Sequence, residues 1–140
     1  MPYSKTSSTA VHKLVHLISG AVLFFAASVA HADVMQDCVT KEKSLDDIHS
    51  CVVATEQRSV RQLREATIDI TKRLRAADDK RAFRSYAAGE ANLIQERKKI
   101  CELTEKVALK AQTDAELARL SCQADVNFAH LSDLKKRYPG

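Results

Sequence analysis

The sequence predicts an all-α fold, a disulfide-stapled three-helix up-down-up bundle, and three observations carry the prediction. Between Asp33 and Arg137 the only glycine is Gly89 and there is no proline, whereas strand-and-turn folds need turn residues at short intervals. Apolar residues recur at three- and four-residue steps over three separate stretches, the period that places side chains on one face of a helix. Four cysteines, Cys38, Cys51, Cys101 and Cys122, fall where helix ends meet in such a bundle. Internal repeats and low-complexity stretches are absent.

Residues 1–32 stand apart from this fold. Lys5, His12, Lys13 and His16 form a basic head without an acid, and residues 17–30 are an apolar run of signal-peptide length. Ala30-His31-Ala32 puts small residues at the two positions a signal peptidase reads, so cleavage is expected before Asp33. What remains, 33–140, has the size of a single helical domain. No cysteine at the cut could carry a lipid, and no stable membrane anchor is expected after cleavage. The expected location is periplasmic or extracellular.

The first long helix should begin at Ser44, whose hydroxyl precedes the acidic turn Asp46-Asp47 and suits an N-cap and the helix dipole. Leu45, Ile48, Cys51 and Val52, then Val60, Leu63, Thr67, Ile70 and Leu74, mark its apolar face. Thr55, Glu56 and Ser59 interrupt that face and predict a kink or break. Asp69 and Arg73 are spaced for an i, i+4 pair. Residues 76–79 read as a turn. The central helix, on which the others are expected to pack, spans 79–103, with Ala82, Phe83, Tyr86, Ala87, Leu93, Ile94, Arg97, Ile100 and Cys101 on one face and Lys80, Arg84, Glu90, Glu96, Lys98 and Lys99 on the other. The pattern blurs over 102–112. Thr113 followed by Glu116 is a capping box that opens the third helix, with Leu117, Leu120, Ala124, Phe128, Leu131 and Leu134 on its core face. Residues 33–36 are expected to be dispensable.

Four cysteines in an exported chain of this size predict two disulfides. Cys38–Cys51 with Cys101–Cys122 is the first choice, because each partner is the nearest in sequence. Cys38–Cys101 with Cys51–Cys122 is the rival. Zinc is disfavoured, since no C-x-x-C knuckle occurs and His49 and His130 lie far apart.

The whole chain has 22 Lys and Arg against 18 Asp and Glu, and losing Lys5 and Lys13 with the leader leaves 20 against 18. Both signs are interleaved along every segment and aromatics are few, which argues against nucleic-acid binding. No catalytic spacing of serine, histidine and acid, no phosphate loop and no H-E-x-x-H motif is present, so a non-enzyme without cofactor or metal is expected. His49 and His130 read as satisfied structural histidines. Arg97, on the apolar face, should pack its stem and pair its guanidinium with a carboxylate or a helix end.

Cys38, Cys51, Leu63, Arg97, Cys101, Cys122 and Leu134, set in helices behind a signal peptide, resemble the secreted LprI-type lysozyme inhibitor family, over about residues 37–134. The resemblance implies a periplasmic or extracellular protein of a kind that in some members binds and blocks lysozyme. An inhibitor must occupy a cleft governed by two carboxylates, which a basic or hydroxyl side chain on a rigid element can do. Lys98 and Lys99 beside Cys101, and Ser121 beside Cys122, are the candidate partner contacts, against the ordinary reading of a solvated helix face. The alternative is a periplasmic chaperone-like or structural accessory protein, suggested by the interrupted stripe of the first helix. A weaker third reading pairs two copies through Val53 and Ile68.

Overall fold

The computed structural model describes residues 33–140. The leader assigned to residues 1–32 lies outside the described residues. Four helices follow in order: α1 (Val34–Lys41), α2 (Leu45–Ala76), α3 (Lys80–Lys110) and α4 (Ala115–Arg137), with no strand among the described residues. The all-helical expectation holds. The count of three does not, because the lead-in segment carrying Cys38 is itself a helix.

Each helix starts on a side-chain cap that satisfies an orphan backbone donor. Asp33 accepts from Gln36 N, Ser44 from Asp47 N, and Asp79 from Arg81 N and Ala82 N. The cap of α4 is Asp114, which accepts from Leu117 N at 2.9 Å, and not Thr113 as the capping box suggested. Thr113 instead closes α3: its N–H donates to Ala108 O at 3.0 Å while Gln112 N donates to Leu109 O at 3.2 Å. These are the two bonds of a Schellman motif, and Gln112 takes the left-handed conformation it requires, φ 56°. Asp78 does the same after α2, φ 50°. Turns that would usually call for glycine are thus made by Asp and Gln, and helix α3 continues to Lys110, through most of the stretch where its pattern blurs.

The break expected at 55–59 is absent, and α2 is continuous. Ser59 is 1% exposed; its hydroxyl donates to Glu56 O at 2.7 Å and accepts from Asn127 Nδ2 at 2.9 Å. The polar interruption meets a polar partner, so the helix has no reason to bend away. Leu45, read as part of the apolar face, is 83% exposed at the helix start.

The organising helix is α4, not α3. It packs along both α2 and α3, which touch each other far less, and from Leu117 to Leu131 none of its residues is exposed. By contrast α3 buries only Tyr86, Cys101 and Ala108. Two apolar clusters result. At one end Val34, Cys38, Val52, Leu117 and Ala124 pack with Met35, Ile48, Leu120 and Phe128; at the other Ile70, Tyr86 and Leu134 pack with Leu63, Leu74 and Tyr138. Helix α1 belongs to the first cluster. Val34 is 3% exposed and its N–H donates to Asp125 Oδ1 on α4 at 3.0 Å, so residues 33–36 are anchored rather than dispensable.

The disulfides are Cys38–Cys51 and Cys101–Cys122, with Cα separations of 5.8 and 5.6 Å. They join α1 to α2 and α3 to α4. Two such bridges point to an oxidising, non-cytoplasmic environment. Among the described residues no helix is long and apolar enough to cross a membrane.

Candidate functional site: a cleft between α2 and α3

At the disulfide end, Lys98 and Lys99 are exposed on α3, on a stretch tied to α4 by Cys101–Cys122 and by Arg119 Nε 3.7 Å from Glu105 Oε2. Lys98 Nζ lies 3.9 Å from Glu102 Oε1, both side chains solvated, a pairing worth less than about 1 kcal/mol that leaves the lysine free to reorient. Ser121 is different. It is 7% exposed and donates to Ala118 O at 3.0 Å, because α4 is covered on both sides there. Its hydroxyl faces the interior, which removes it from any contact surface.

A second feature was not anticipated. Because α4 holds α2 and α3 apart, a cleft of about 470 Å3 opens between them, floored by Gln123, Val126, Asn127 and His130 of α4. Its apolar walls are Val60, Leu63 and Ile68 of α2 and Leu93 and Ile94 of α3. Val60, Ile68 and Ile94 are 45%, 46% and 52% exposed, so this apolar lining stands open to solvent.

Polar groups cross the molecule beneath this lining. Asn127, 2% exposed, donates through Nδ2 to Ser59 and accepts at Oδ1 from Arg97 Nη1. One buried amide thereby links α2, α4 and α3, between the two apolar clusters. Such a chain is stable only when each member is satisfied. Arg97 is half-buried, yet its partner is a neutral amide; among the described residues no carboxylate lies within ion-pair distance of it. The pairing with a carboxylate or helix end expected for Arg97 is therefore replaced by Asn127. Glu90, expected on the solvent face, is drawn inward: His130 Nε2 is 2.9 Å from its Oε1 and 3.1 Å from its Oε2, with side chains 10% and 17% exposed. His130 is the satisfied histidine the sequence suggested. His49 is exposed on α2.

A signal for this arrangement did exist in the sequence. Asn127 lies three residues after Ala124 and four before Leu131, in the middle of the core face of α4, and Ser59 interrupts the face of α2. Two polar interruptions on facing helices are what a buried amide–hydroxyl pair leaves in a sequence. Among the described residues no group of three or more His, Cys, Asp or Glu side chains is placed to hold a metal ion.

Compared with protein-family models, with curated proteins and with solved structures, the chain has no match. The geometry itself defines a class: a disulfide-bonded, all-helical protein with a rigid cysteine-bridged end and an open cleft.

Proposed function

We propose that this chain is an exported, non-enzymatic binding protein of the periplasm or the extracellular space, which engages a protein partner through its cysteine-bridged end. The observation that carries the reading is the Cys101–Cys122 bridge, which fixes α3 beside Lys98 and Lys99. A surface held rigid before contact loses little entropy on binding. Lysozyme is the partner implied by the resemblance of Cys38, Cys51, Leu63, Arg97, Cys101, Cys122 and Leu134 to the LprI-type inhibitors. Two lysines on a braced helix suit a cleft governed by carboxylates.

Lysozyme turnover measured with increasing amounts of the oxidised protein tests this directly. Wild type should inhibit, and Lys98→Glu with Lys99→Glu should abolish inhibition while helicity and melting stay unchanged, both side chains being exposed. Absence of inhibition at large molar excess ends the lysozyme assignment. One observation favours a second reading, the chaperone-like helper: Ile100, Leu103 and Val107, 53%, 63% and 58% exposed, share one face of α3. Suppression of aggregation of a reduced client, lost in Leu103→Glu, would select it.

A further inference from the structure

We propose that the cleft between α2 and α3 is a binding site for a single-chain amphiphile with a monoanionic head, a medium-chain carboxylate, with Arg97 as the anion anchor. This site is separate from the protein-contact surface above and does not depend on it.

Three features of the cleft converge on that chemistry. Arg97 is a half-buried cation whose hydrogen-bond partner is the neutral Asn127. A guanidinium has five N–H donors in a fixed fork, so most of its capacity is left for a carboxylate, which it can meet bidentately. The second feature is its mounting. Asn127 is held in turn by Ser59, whose hydroxyl is bonded to Glu56 O, so side chains from three helices fix the guanidinium in place. A core that uses a buried amide and hydroxyl to orient one arginine has given up apolar packing at that level, as a preorganised ligand site does. Third, the wall beyond Arg97 is apolar. From Glu56 to Ile68 the cleft follows α2 for about 18 Å at the helical rise, past Val60, Leu63, Leu93, Ile94 and Val126, and its volume falls in the range of small-molecule sites.

The charges select the head group. Glu90 is already taken up by His130. Of the charged side chains that remain in the lining, Arg97 and Arg64 are positive and Glu56 is negative, and none of the three has an ion-pair partner among the described residues. A single carboxylate matches the one guanidinium among them that Asn127 holds in place. A dianion would face Glu56 in excess, and a cationic head would face Arg97 without compensation.

The experiment is calorimetric titration of the oxidised protein with decanoate and with decyltrimethylammonium, both below their micelle concentrations. The expected result is saturable binding of one decanoate per chain and none of the cation. Arg97→Gln should weaken decanoate by about tenfold or more, as loss of a charge-assisted bidentate contact does. Ile94→Glu, a change at an exposed position that leaves the fold intact, should abolish binding by placing a carboxylate in the apolar wall. Asn127→Ala should weaken decanoate, while a decyl chain with an uncharged head, decyl glucoside, binds equally to wild type and this variant. The proposal is overturned if wild type does not saturate, if both head groups bind alike, or if Ile94→Glu binds as wild type. It is equally overturned if Ile94→Glu instead dissolves a concentration-dependent dimer in sedimentation, since the cleft would then belong to a second copy of the chain.

Discussion

Asn127 shows how a single side chain can decide the arrangement of three helices. Replacing it by alanine strips Ser59 of its donor and Arg97 of its acceptor, both in covered positions, and a hydrogen bond to a charged group contributes about 1.5–3 kcal/mol. Asn127→Ala is therefore expected to destabilise by about 2–3 kcal/mol in denaturant titration, a loss that an isolated surface bond would not produce. Gln112 makes the opposite case. A non-glycine residue in the left-handed region costs about 1–2 kcal/mol, while glycine costs only about 0.5–1 kcal/mol in backbone entropy, so Gln112→Gly should raise the melting temperature. Tyr86 adds a loss of stability at alkaline pH. Burial raises its phenol above the ordinary 10.0 against the opposing pull of the nearby Thr67 and Thr71 hydroxyls, and its own hydroxyl is enclosed without a well-aligned hydrogen bond. Since the folded state holds the proton more tightly, its contribution is intact below pH 10.0 and is lost as pH rises through the folded value. Tyr86→Phe should remove that alkaline loss and leave stability at neutral pH essentially unchanged, measured by melting across pH 8 to about 11.

Among the elements, α1 and the end of α3 show what periodicity reveals and what it misses. The long helices were legible from apolar spacing and from the cap Ser44, because those signals are local. Helix α1 was not, since eight residues give too little periodicity, and what holds it is distant: the Val34 N–H on Asp125 and the bridge to Cys51. The hierarchy of helices was also hidden. Spacing marks which face of a helix is apolar and cannot say how many neighbours cover it, so α3 with its long stripe looked central while α4, covered on both sides, did not. The cleft escaped for the same reason, because it exists only where α4 holds two helices apart. The disulfides offer a test at this scale. Their sequence separations of 13 and 21 differ by only a few tenths of a kcal/mol in loop entropy, so each bridge should contribute about 2–4 kcal/mol. Cys101→Ser with Cys122→Ser, and Cys38→Ser with Cys51→Ser, are expected to lower stability by comparable amounts. Deletion of residues 33–41 should cost more than the second pair of substitutions, because it also uncovers Val52, Leu117 and Ala124.

The molecule as a whole has a core divided in two by a polar level. The apolar clusters at either end hold the helices together, and the Ser59–Asn127–Arg97 chain between them sets the spacing of α2 and α3 and presents the arginine to the cleft. The measurement that tests this most directly is a double-mutant cycle between Arg97→Met and Asn127→Ala, read by denaturant unfolding of the oxidised protein. If the two side chains meet across α3 and α4 as described, the cycle yields a coupling of about 1–2 kcal/mol. If the two losses simply add, to within the roughly 0.5 kcal/mol typical of independent sites, the polar level does not join these helices and the cleft has no fixed anchor.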